Sequence, residues 1–497
     1  MLKDVILWAL DMIQARQWLS LLSSSLVVSV LSMAGIPSAY GISLNNRLTI
    51  PGESTDLYPF KGNSANVNRL GGFFSDLYYD RYRNVYYGLA DRGPGGGVIS
   101  YNTRVQKFSL DLDPKTGAIR KFRLLDTIVF TLSANNYNGL NPRLLNGNAS
   151  VLGLSLDPEG FAVAPNGNFY VADEYGPSVY EFRPNGSFLR AFQTPNNIIP
   201  KAGSNPNYVD GHPTITSGRQ DNRGFEGLTL SPDGKALFAV LQDPLVNEGS
   251  PDGRRSPNVR LVKFDTATGK SVAQYIYQLE SLANINTRVP SDTFGSNSQG
   301  RNIGISAITA INERELLVLE RDNRGLGVDD PKASAAIGSK RIYKINLTNA
   351  TDVSNISLAG TNTLPSGVSA VSKSLFLDIA GVQTAGQVVP EKLEGLAIGP
   401  QLKDGSYALL VGTDNDFSVT QNDNNVQFDV CTNGSQVAIN TGCPAGSTLI
   451  PTYLYSFRAS SAELKGFVPS AKVPKLAATA GLMVVGVGCF WLKRRKL

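Results

Sequence analysis

The sequence has a single histidine, His212, and only three cysteines among its 497 residues. One histidine excludes a metal centre built from several imidazoles, and a Ser-His-Asp triad would have to use it. No G-x-S-x-G nucleophile elbow occurs either, so a serine-esterase mechanism lacks its usual nucleophile. Cys489 lies in an apolar C-terminal run, which leaves Cys431 and Cys443 as a pair that closes a loop disulfide in an oxidising compartment.

A strong net charge is missing from most of the chain, although the formal net charge is +5. Residues 471–497 hold six basic side chains and no acidic one, whereas residues 42–470 hold 38 basic and 39 acidic side chains. A body without a basic surface excludes binding to a nucleic-acid backbone. The mean hydropathy of -0.10 excludes a membrane protein with many spans.

The N-terminal residues have the composition of an export signal. Residues 18–33 are uncharged and largely apolar, and Ala39 and Gly41 provide small residues for cleavage. We therefore interpret residues 1–41 as a signal peptide. A retained N-terminal anchor is the alternative.

The C-terminal residues have the composition of a membrane anchor. Residues 476–492 form an uncharged run of 17 residues followed by KRRK, so residues 471–497 are interpreted as a C-terminal transmembrane helix with a basic tail. A buried helix is the alternative. The tail is weakly similar to PEP-CTERM sorting signals, although the Pro-Glu-Pro motif is missing. We expect an exported, anchored protein whose body, residues 42–470, lies outside the cytoplasm.

Internal repetition organises this body. Five segments share one pattern, in which a small or acidic motif precedes an apolar strand, a turn, a second apolar strand and an acidic cluster; they are residues 74–93, 158–176, 225–243, 305–323 and 393–416. Turns such as PNGN and SPDGK are typical of hairpins. The pattern predicts an all-β protein, a β-propeller with five readable blades, and the length of the body leads us to expect a sixth blade without the motif. A strand at residues 44–50 would complete the last blade and close the ring. A pair of β-sandwiches is the alternative.

Acidic residues recur at the start of the first strand of these segments, at Asp76, Glu159, Glu226 and Glu394, with Ala307 at this position in the fourth. Equivalent positions of successive blades converge on the central channel, so we expect a ring of carboxylates that requires a cation. Oxygen ligands favour calcium. Alternatively, each glutamate bonds backbone amides and holds one blade to the next. The predicted calcium ligands are Glu159, Asp173, Glu226, Asp322 and Glu394.

Arginines accompany the same motifs, and Arg92, Arg223 and Arg321 are the candidates for binding an anionic group of a substrate. The candidate catalytic residues are Glu226 and His212, the latter as a general acid in a loop close to Asp210. The alternatives are ion pairs for the arginines and a turn without chemistry for His212.

Four segments, DPEGFAVAPNGNFYVADEYGPSVYEF, DNRGFEGLTLSPDGKALFAVLQ, LLVLERDN and KLEGLAIG, resemble the phytase-like family known as "esterase-like activity of phytase". The resemblance spans residues 69–458 and implies a secreted or anchored propeller that hydrolyses phosphoesters. We therefore expect a monomeric, calcium-dependent phosphoric-ester hydrolase acting on a small phosphorylated or ester substrate. The alternatives are a non-catalytic, calcium-stabilised propeller that binds a ligand or protein partner, and a lactonase-like propeller hydrolase.

Overall fold

The computed structural model describes most of the body of the chain. The described residues are 29–32, 41–59, 65–382, 387–422 and 424–470. The predicted C-terminal anchor, residues 471–497, lies outside them, as does most of the predicted signal peptide. Among the described residues, no helix is long and apolar enough to cross a membrane.

Antiparallel strands dominate the structure and form five sheets in succession. The strands up to the end of the first sheet are β1 (Ser29–Ser32), β2 (Ser43–Ile50), β3 (Asp76–Asp80), β4 (Val85–Leu89), β5 (Arg104–Leu112) and β6 (Ile119–Val129). A small ribbon and the second sheet follow, as β7 (Thr131–Leu132), β8 (Asn135–Asn136), β9 (Pro158–Val163), β10 (Phe169–Asp173), β11 (Ser178–Phe182) and β12 (Phe188–Ala191). A second ribbon and the third sheet comprise β13 (Lys201–Ala202), β14 (Asn205–Pro206), β15 (Phe225–Leu230), β16 (Ala236–Leu241), β17 (Asn258–Asp265) and β18 (Lys270–Gln278).

The last two sheets complete the chain. The fourth sheet contains β19 (Ile303–Ala310), β20 (Glu315–Asp322), β21 (Lys340–Asn346) and β22 (Ser372–Asp378). The fifth contains β23 (Leu393–Gln401) and β24 (Tyr407–Thr413), then an inserted sheet of β25 (Val419–Gln421), β26 (Gln427–Val430) and β27 (Gln436–Ala438), and then β28 (Thr452–Ala459). The α-helices are short and lie between strands: α1 (Pro142–Asn146), α2 (Leu282–Arg288) and α3 (Ile379–Val382).

The innermost strands of the five sheets form a closed ring. β3 contacts β9, β9 contacts β15, β15 contacts β19, β19 contacts β23, and β23 returns to β3. Each sheet is thus one blade of a β-propeller, numbered here from blade 1 (β3–β6) to blade 5. The described residues contain no sixth such blade, so that expectation is wrong. The residues that could have formed a sixth blade lie in long connections between strands, such as residues 192–224, with the second ribbon, and residues 414–451, with the inserted sheet.

Blade 5 is completed by a strand from the other end of the chain. β2 pairs antiparallel with β28, and Leu48 lies opposite Leu454. Leu48 is fully buried in a cluster that also contains Leu77 of blade 1. The predicted closing strand is therefore present, and it seals the seam between the last blade and the first.

The inserted sheet of blade 5 is fastened to the body at its base. A disulfide joins Cys431 to Cys443, with their Cα atoms 5.8 Å apart. The buried guanidinium of Arg69 holds Asp429 of β26 through a bond of 2.7 Å. The first strand of this insertion, β25, thereby lies at one rim of the central channel.

Candidate active site at the channel mouth

Three glutamates stand at the same structural position, the beginning of an innermost strand. Glu159, Glu226 and Glu394 each occupy a β-bulge, where the pairing between the first and second strands shifts by one residue. In blade 4 the bulge residue is Ser306, because Ile305 pairs with Glu320 and Ala307 pairs with Leu319. The placement of Ala307 at the glutamate position was therefore wrong by one residue. Ser306 instead donates a hydrogen bond of 2.7 Å to the Leu393 carbonyl of blade 5.

A glycine follows each of these glutamates because the next blade approaches closely. A Cβ atom on Gly160 would lie 2.9 Å from the backbone nitrogen of Leu228, and one on Gly227 would lie 2.9 Å from that of Ile308. Real Cβ atoms avoid such distances. The Glu-Gly pairs of the sequence thus combine a packing requirement in the glycine with a bulge that carries the glutamate.

Asp76 bonds backbone amides and connects two blades, which was the alternative role considered for the glutamates. Its carboxylate is buried and accepts hydrogen bonds of 2.7 Å from the backbone N–H groups of Leu77 and Phe161. It therefore links blade 1 to blade 2. Among the described residues, none of the three glutamate side chains accepts a hydrogen bond from a backbone N–H group of a neighbouring blade, although Glu394 contacts Arg321 of blade 4.

The glutamates open into a cavity of about 320 Å³ at one end of the channel. Its acidic lining residues are Asp91, Glu159, Glu174, Glu226, Asp329, Glu391, Glu394 and Asp416, and its basic ones are Arg92, Arg223, Arg321 and Lys392. The rim includes the glycines at 95 and 96 and the β25 residues Val419 to Gln421. Fully ionised, this lining is strongly negative.

The three predicted arginines all reach the cavity, and each also contacts a carboxylate. The Arg92 Nη1 atom lies 2.9 Å from Asp157 Oδ2, and Arg223 Nε lies 2.7 Å from Asp243 Oδ2. Arg321 Nη2 lies 2.5 Å from Glu394 Oε1. These contacts fix the guanidinium groups in place while each retains further N–H donors.

Two groups of three carboxylates bring their oxygens within 4.8 Å of one another. The first, the blade 2 cluster, consists of Asp157, Glu159 and Glu174, which are all buried. The second, the blade 5 cluster, consists of Asp91, Asp414 and Asp416.

The two clusters differ in how closely basic side chains contact their carboxylates. The Lys392 ammonium lies 2.6 Å from Asp416 and 3.3 Å from Asp414, so the blade 5 cluster already contains one positive charge. In the blade 2 cluster, Arg92 holds Asp157 but approaches Glu174 only to 4.0 Å. Among the described residues, no group donates a hydrogen bond to the Glu159 carboxylate.

Burial and mutual repulsion raise the pKa values of these carboxyl groups. Burial, followed by the charge of Asp157, holds the pKa of Glu159 well above its ordinary value. The same two causes raise the pKa of Glu174 to about 7. Burial also raises the pKa values of Glu391 and Asp414 to about 7. The folded protein therefore keeps several of these protons near neutral pH when no cation balances the charge.

The difference between the pKa values of these carboxyl groups in the folded and the unfolded protein predicts how stability depends on pH. Glu174, Glu391 and Asp414 hold protons up to about pH 7 when folded but lose them near pH 4 when unfolded. Their contribution to stability is thus complete below pH 4 and is lost as the pH rises through 7. We expect the melting temperature in chelator to fall between pH 5 and pH 8, as measured by calorimetry. A flat or rising profile would contradict this.

The control for this measurement is His212, an exposed side chain that does not line the cavity. A His212→Asn variant should show the same slope as the original protein.

Three predicted site residues lie away from the cavity. Both oxygens of Asp173 accept backbone N–H groups, including those of Asp157 and Gly176. Asp322 accepts two further backbone N–H groups and lies 2.9 Å from the fully buried Lys340 ammonium. These carboxylates organise loops, which occupies the oxygens that a cation would need.

The third of these residues is His212, which is exposed and does not line the cavity. The carboxylate of the nearby Asp210 accepts a hydrogen bond of 2.7 Å from the guanidinium group of Arg143.

Several residues of the site were absent from the predicted set, notably Asp157 of the blade 2 cluster and the cavity residues Gln242 and Lys392. Gln242 donates a hydrogen bond of 2.8 Å from Nε2 to Glu226 Oε1. Asp157 and Lys392 each lie two residues before a motif glutamate, at 159 and 394, and this shared spacing was the available signal. Gln242 gives no such signal because only the strand pairing places it beside Glu226.

The described geometry agrees with a family comparison. The family "Phytase-like: Esterase-like activity of phytase" matches residues 68–417. The chain belongs to the phytase-like family. This phytase-like chain is also similar to an uncharacterized secreted protein of Arthroderma benhamiae, with 28% identity over 332 residues. That match covers 55% of the chain and 62% of the relative, so less than two thirds of the relative is represented.

Two solved structures are distantly similar to the phytase-like chain. Virginiamycin B lyase from Staphylococcus aureus has 9% identity and a TM-score of 0.29, covering 86% of this chain and 98% of the lyase. Hydrazine synthase of Kuenenia stuttgartiensis has 10% identity and a TM-score of 0.29, covering 73% of this chain and 80% of that one. Scores this low carry no argument, and the propeller rests on the strand pairing.

Proposed function

We propose that this phytase-like protein is an extracytoplasmic hydrolase of phosphoric esters that acts in the channel-mouth cavity. The reaction would require a divalent cation, and calcium is the cation we expect. The charge of the cavity carries this proposal, because eight carboxylates share it with four basic side chains. Such a wall repels a phosphate group when no cation is bound. A bound divalent cation would offset two of the four excess negative charges of the ionised lining and would itself attract the phosphoryl oxygens, which the basic side chains could then also bind.

The blade 2 cluster of Asp157, Glu159 and Glu174 fits a hard cation. Three carboxylates provide oxygen ligands, which is the chemistry that calcium prefers. The Glu159 carboxylate accepts no hydrogen bond from the described residues, whereas the blade 5 cluster already contains a lysine ammonium. Glu226 and Glu394 would extend the acidic wall beside it, and one oxygen of Glu394 is buried without a hydrogen-bond partner.

A divalent cation in this cluster would supply Lewis acidity and lower the pKa of a water molecule. The protein's own residues would position the substrate and move the proton. Arg321 is suited to bind a phosphoryl oxygen because its Nε atom is buried without a partner. Gln242 orients Glu226 through Oε1, which leaves Oε2 to accept a proton from the attacking water. His212 has no part in this mechanism because it does not line the cavity.

The test is release of phosphate from phytate and from an aryl phosphate by the full chain, with calcium and again with chelator. We expect release only with calcium, in protein shown to be folded under both conditions. No release from folded, calcium-stabilised protein would favour the non-catalytic propeller that binds a ligand or partner. Hydrolysis of sugar lactones in place of phosphate esters would favour the lactonase-like alternative.

The proposal also includes location. Residues 1–41 would direct export, and residues 471–497 would anchor the protein with its body outside the cytoplasm. The similarity to a protein named as secreted supports export. Protease treatment of intact cells tests it, because an exported body is degraded while a cytoplasmic one is protected.

A further inference from the structure

The channel has a second end, opposite the acidic cavity. The innermost strands begin at the motif glutamates and end about 20 Å away, the length of a six-residue strand. At that far end lies a smaller pocket lined by the last residues of several innermost strands, among them Leu230, Ala310 and Ile398. The turns that join the first and second strands of each blade also lie at this end.

The final described segment, residues 464–470, crosses this far end. The ring of Phe467 packs against Tyr407, with centroids 5.2 Å apart, and under the guanidinium of Arg81. The Val468 N–H donates a hydrogen bond of 2.8 Å to the carbonyl of Ile311. The Tyr82 hydroxyl donates to the carbonyl of Ser470. The chain therefore leaves the propeller at the end away from the cavity.

The distance from this exit to the uncharged C-terminal run is short. Five residues, 471–475, separate Ser470 from Leu476, where that run begins. Fully extended, a linker of this length reaches about 20 Å. A membrane span at residues 476–492 would thus hold the far end of the propeller close to the bilayer.

One exposed turn at this end suits a lipid surface. The turn between β3 and β4 carries Tyr82, which is 44% exposed, next to Arg83, whose side chain is 52% exposed and pairs with Asp80 through one of its nitrogens. Tyrosine and arginine are the side chains that favour the region of the lipid head groups. We propose that the far end of the propeller rests on the outer surface of the bilayer, with Tyr82 and Arg83 at the head groups and the acidic cavity facing away.

This orientation depends on the anchoring that forms part of the proposed function, and it narrows the substrate class. A cavity on the side away from the bilayer is open to soluble phosphate esters from the surrounding medium. Phosphate groups of lipids in the same membrane lie at the opposite end of the channel and cannot enter it.

The experiment measures which end of the full chain lies near lipid. In a Cys489→Ser background the remaining cysteines are disulfide-bonded, so one introduced cysteine provides a single thiol for a fluorophore. Arg83→Cys and Lys235→Cys place the label on two exposed turns at the far end, and Lys235 ensures a readout if the first variant folds poorly. Val426→Cys, at a half-exposed position in the turn between β25 and β26 of the inserted sheet, on the side of the cavity, is the matched control. Each protein is reconstituted into phosphatidylcholine–phosphatidylglycerol vesicles that contain head-group spin-labelled lipid.

We expect several-fold stronger quenching at positions 83 and 235 than at position 426. Equal quenching at all three, or stronger quenching at 426, in protein that floats with the vesicles would overturn the orientation. Protein that does not float with the vesicles would overturn both anchoring and orientation. Neither result depends on turnover, so the proposed hydrolysis is judged separately by phosphate release.

Discussion

Replacement of Glu159 by glutamine should abolish calcium-dependent phosphate release, with a loss of more than about 100-fold in kcat/KM. Outer-sphere partners of a metal ligand are each worth about 10- to 100-fold, so a direct ligand should exceed that range. The Glu159 carboxylate is buried beside Asp157 and Glu174 and accepts no hydrogen bond from the described residues. Its replacement should therefore remove cation binding without removing an internal contact.

Thermal unfolding separates this explanation from simple loss of structure. In chelator at pH 8, the Glu159→Gln variant should melt at or above the temperature of the original protein, because one source of repulsion in the cluster is gone. Added calcium should stabilise the original protein and leave the variant unchanged. Glu313→Gln, in the exposed turn between β19 and β20, is the matched control and should retain both activity and the calcium response. Full activity in Glu159→Gln would sink the assignment of the blade 2 cluster.

A second large effect is expected at the seam that closes the ring. Leu48→Ala should lower the free energy of unfolding by about 2–5 kcal/mol, the usual range for a fully buried leucine. Leu48 is 0% exposed and belongs to a buried apolar cluster that also contains Leu454 of its own blade and Leu77 of blade 1. The substitution therefore weakens the contact of the last blade with the first, and urea unfolding measures the loss.

The comparison is Thr49→Ala, on the half-buried side of the same strand. It should cost less than about 1 kcal/mol, because it removes little buried apolar surface. If both variants lose the same small amount, β2 does not contribute to closing the ring, and the propeller is stable without it.

Much of the fold could be predicted from the chain alone, because its information is local. The hairpin turns, the alternation of apolar residues and the recurring Glu-Gly pairs are short-range patterns, so they indicate the blades of a propeller and a strand at residues 44–50. The number of blades is a different matter. Whether the surplus length forms a sixth blade or long loops depends on how many sheets close the ring, and five do.

The residues of the site were likewise predictable from the sequence only in part. The motif glutamates and arginines could be read from the repeats, since Glu159, Glu226 and Glu394 stand at one position of the blade. The sequence could not show that the carboxylates of Asp173 and Asp322, each at the end of the second strand of its blade, have a different role from these glutamates.

By itself, the sequence determined the repeating strands, the closing strand and the acidic character of the channel, because each follows from residues close together in the chain. Only the tertiary structure decided which carboxylates are free. The oxygens of Asp173 and Asp322 are used by backbone N–H groups, and Lys392 pairs with Asp416, while none of the described residues donates a hydrogen bond to the Glu159 carboxyl group. Hydrogen bonding and ion pairing between distant segments arise when the blades come together, and they select the few acids that are left for a cation.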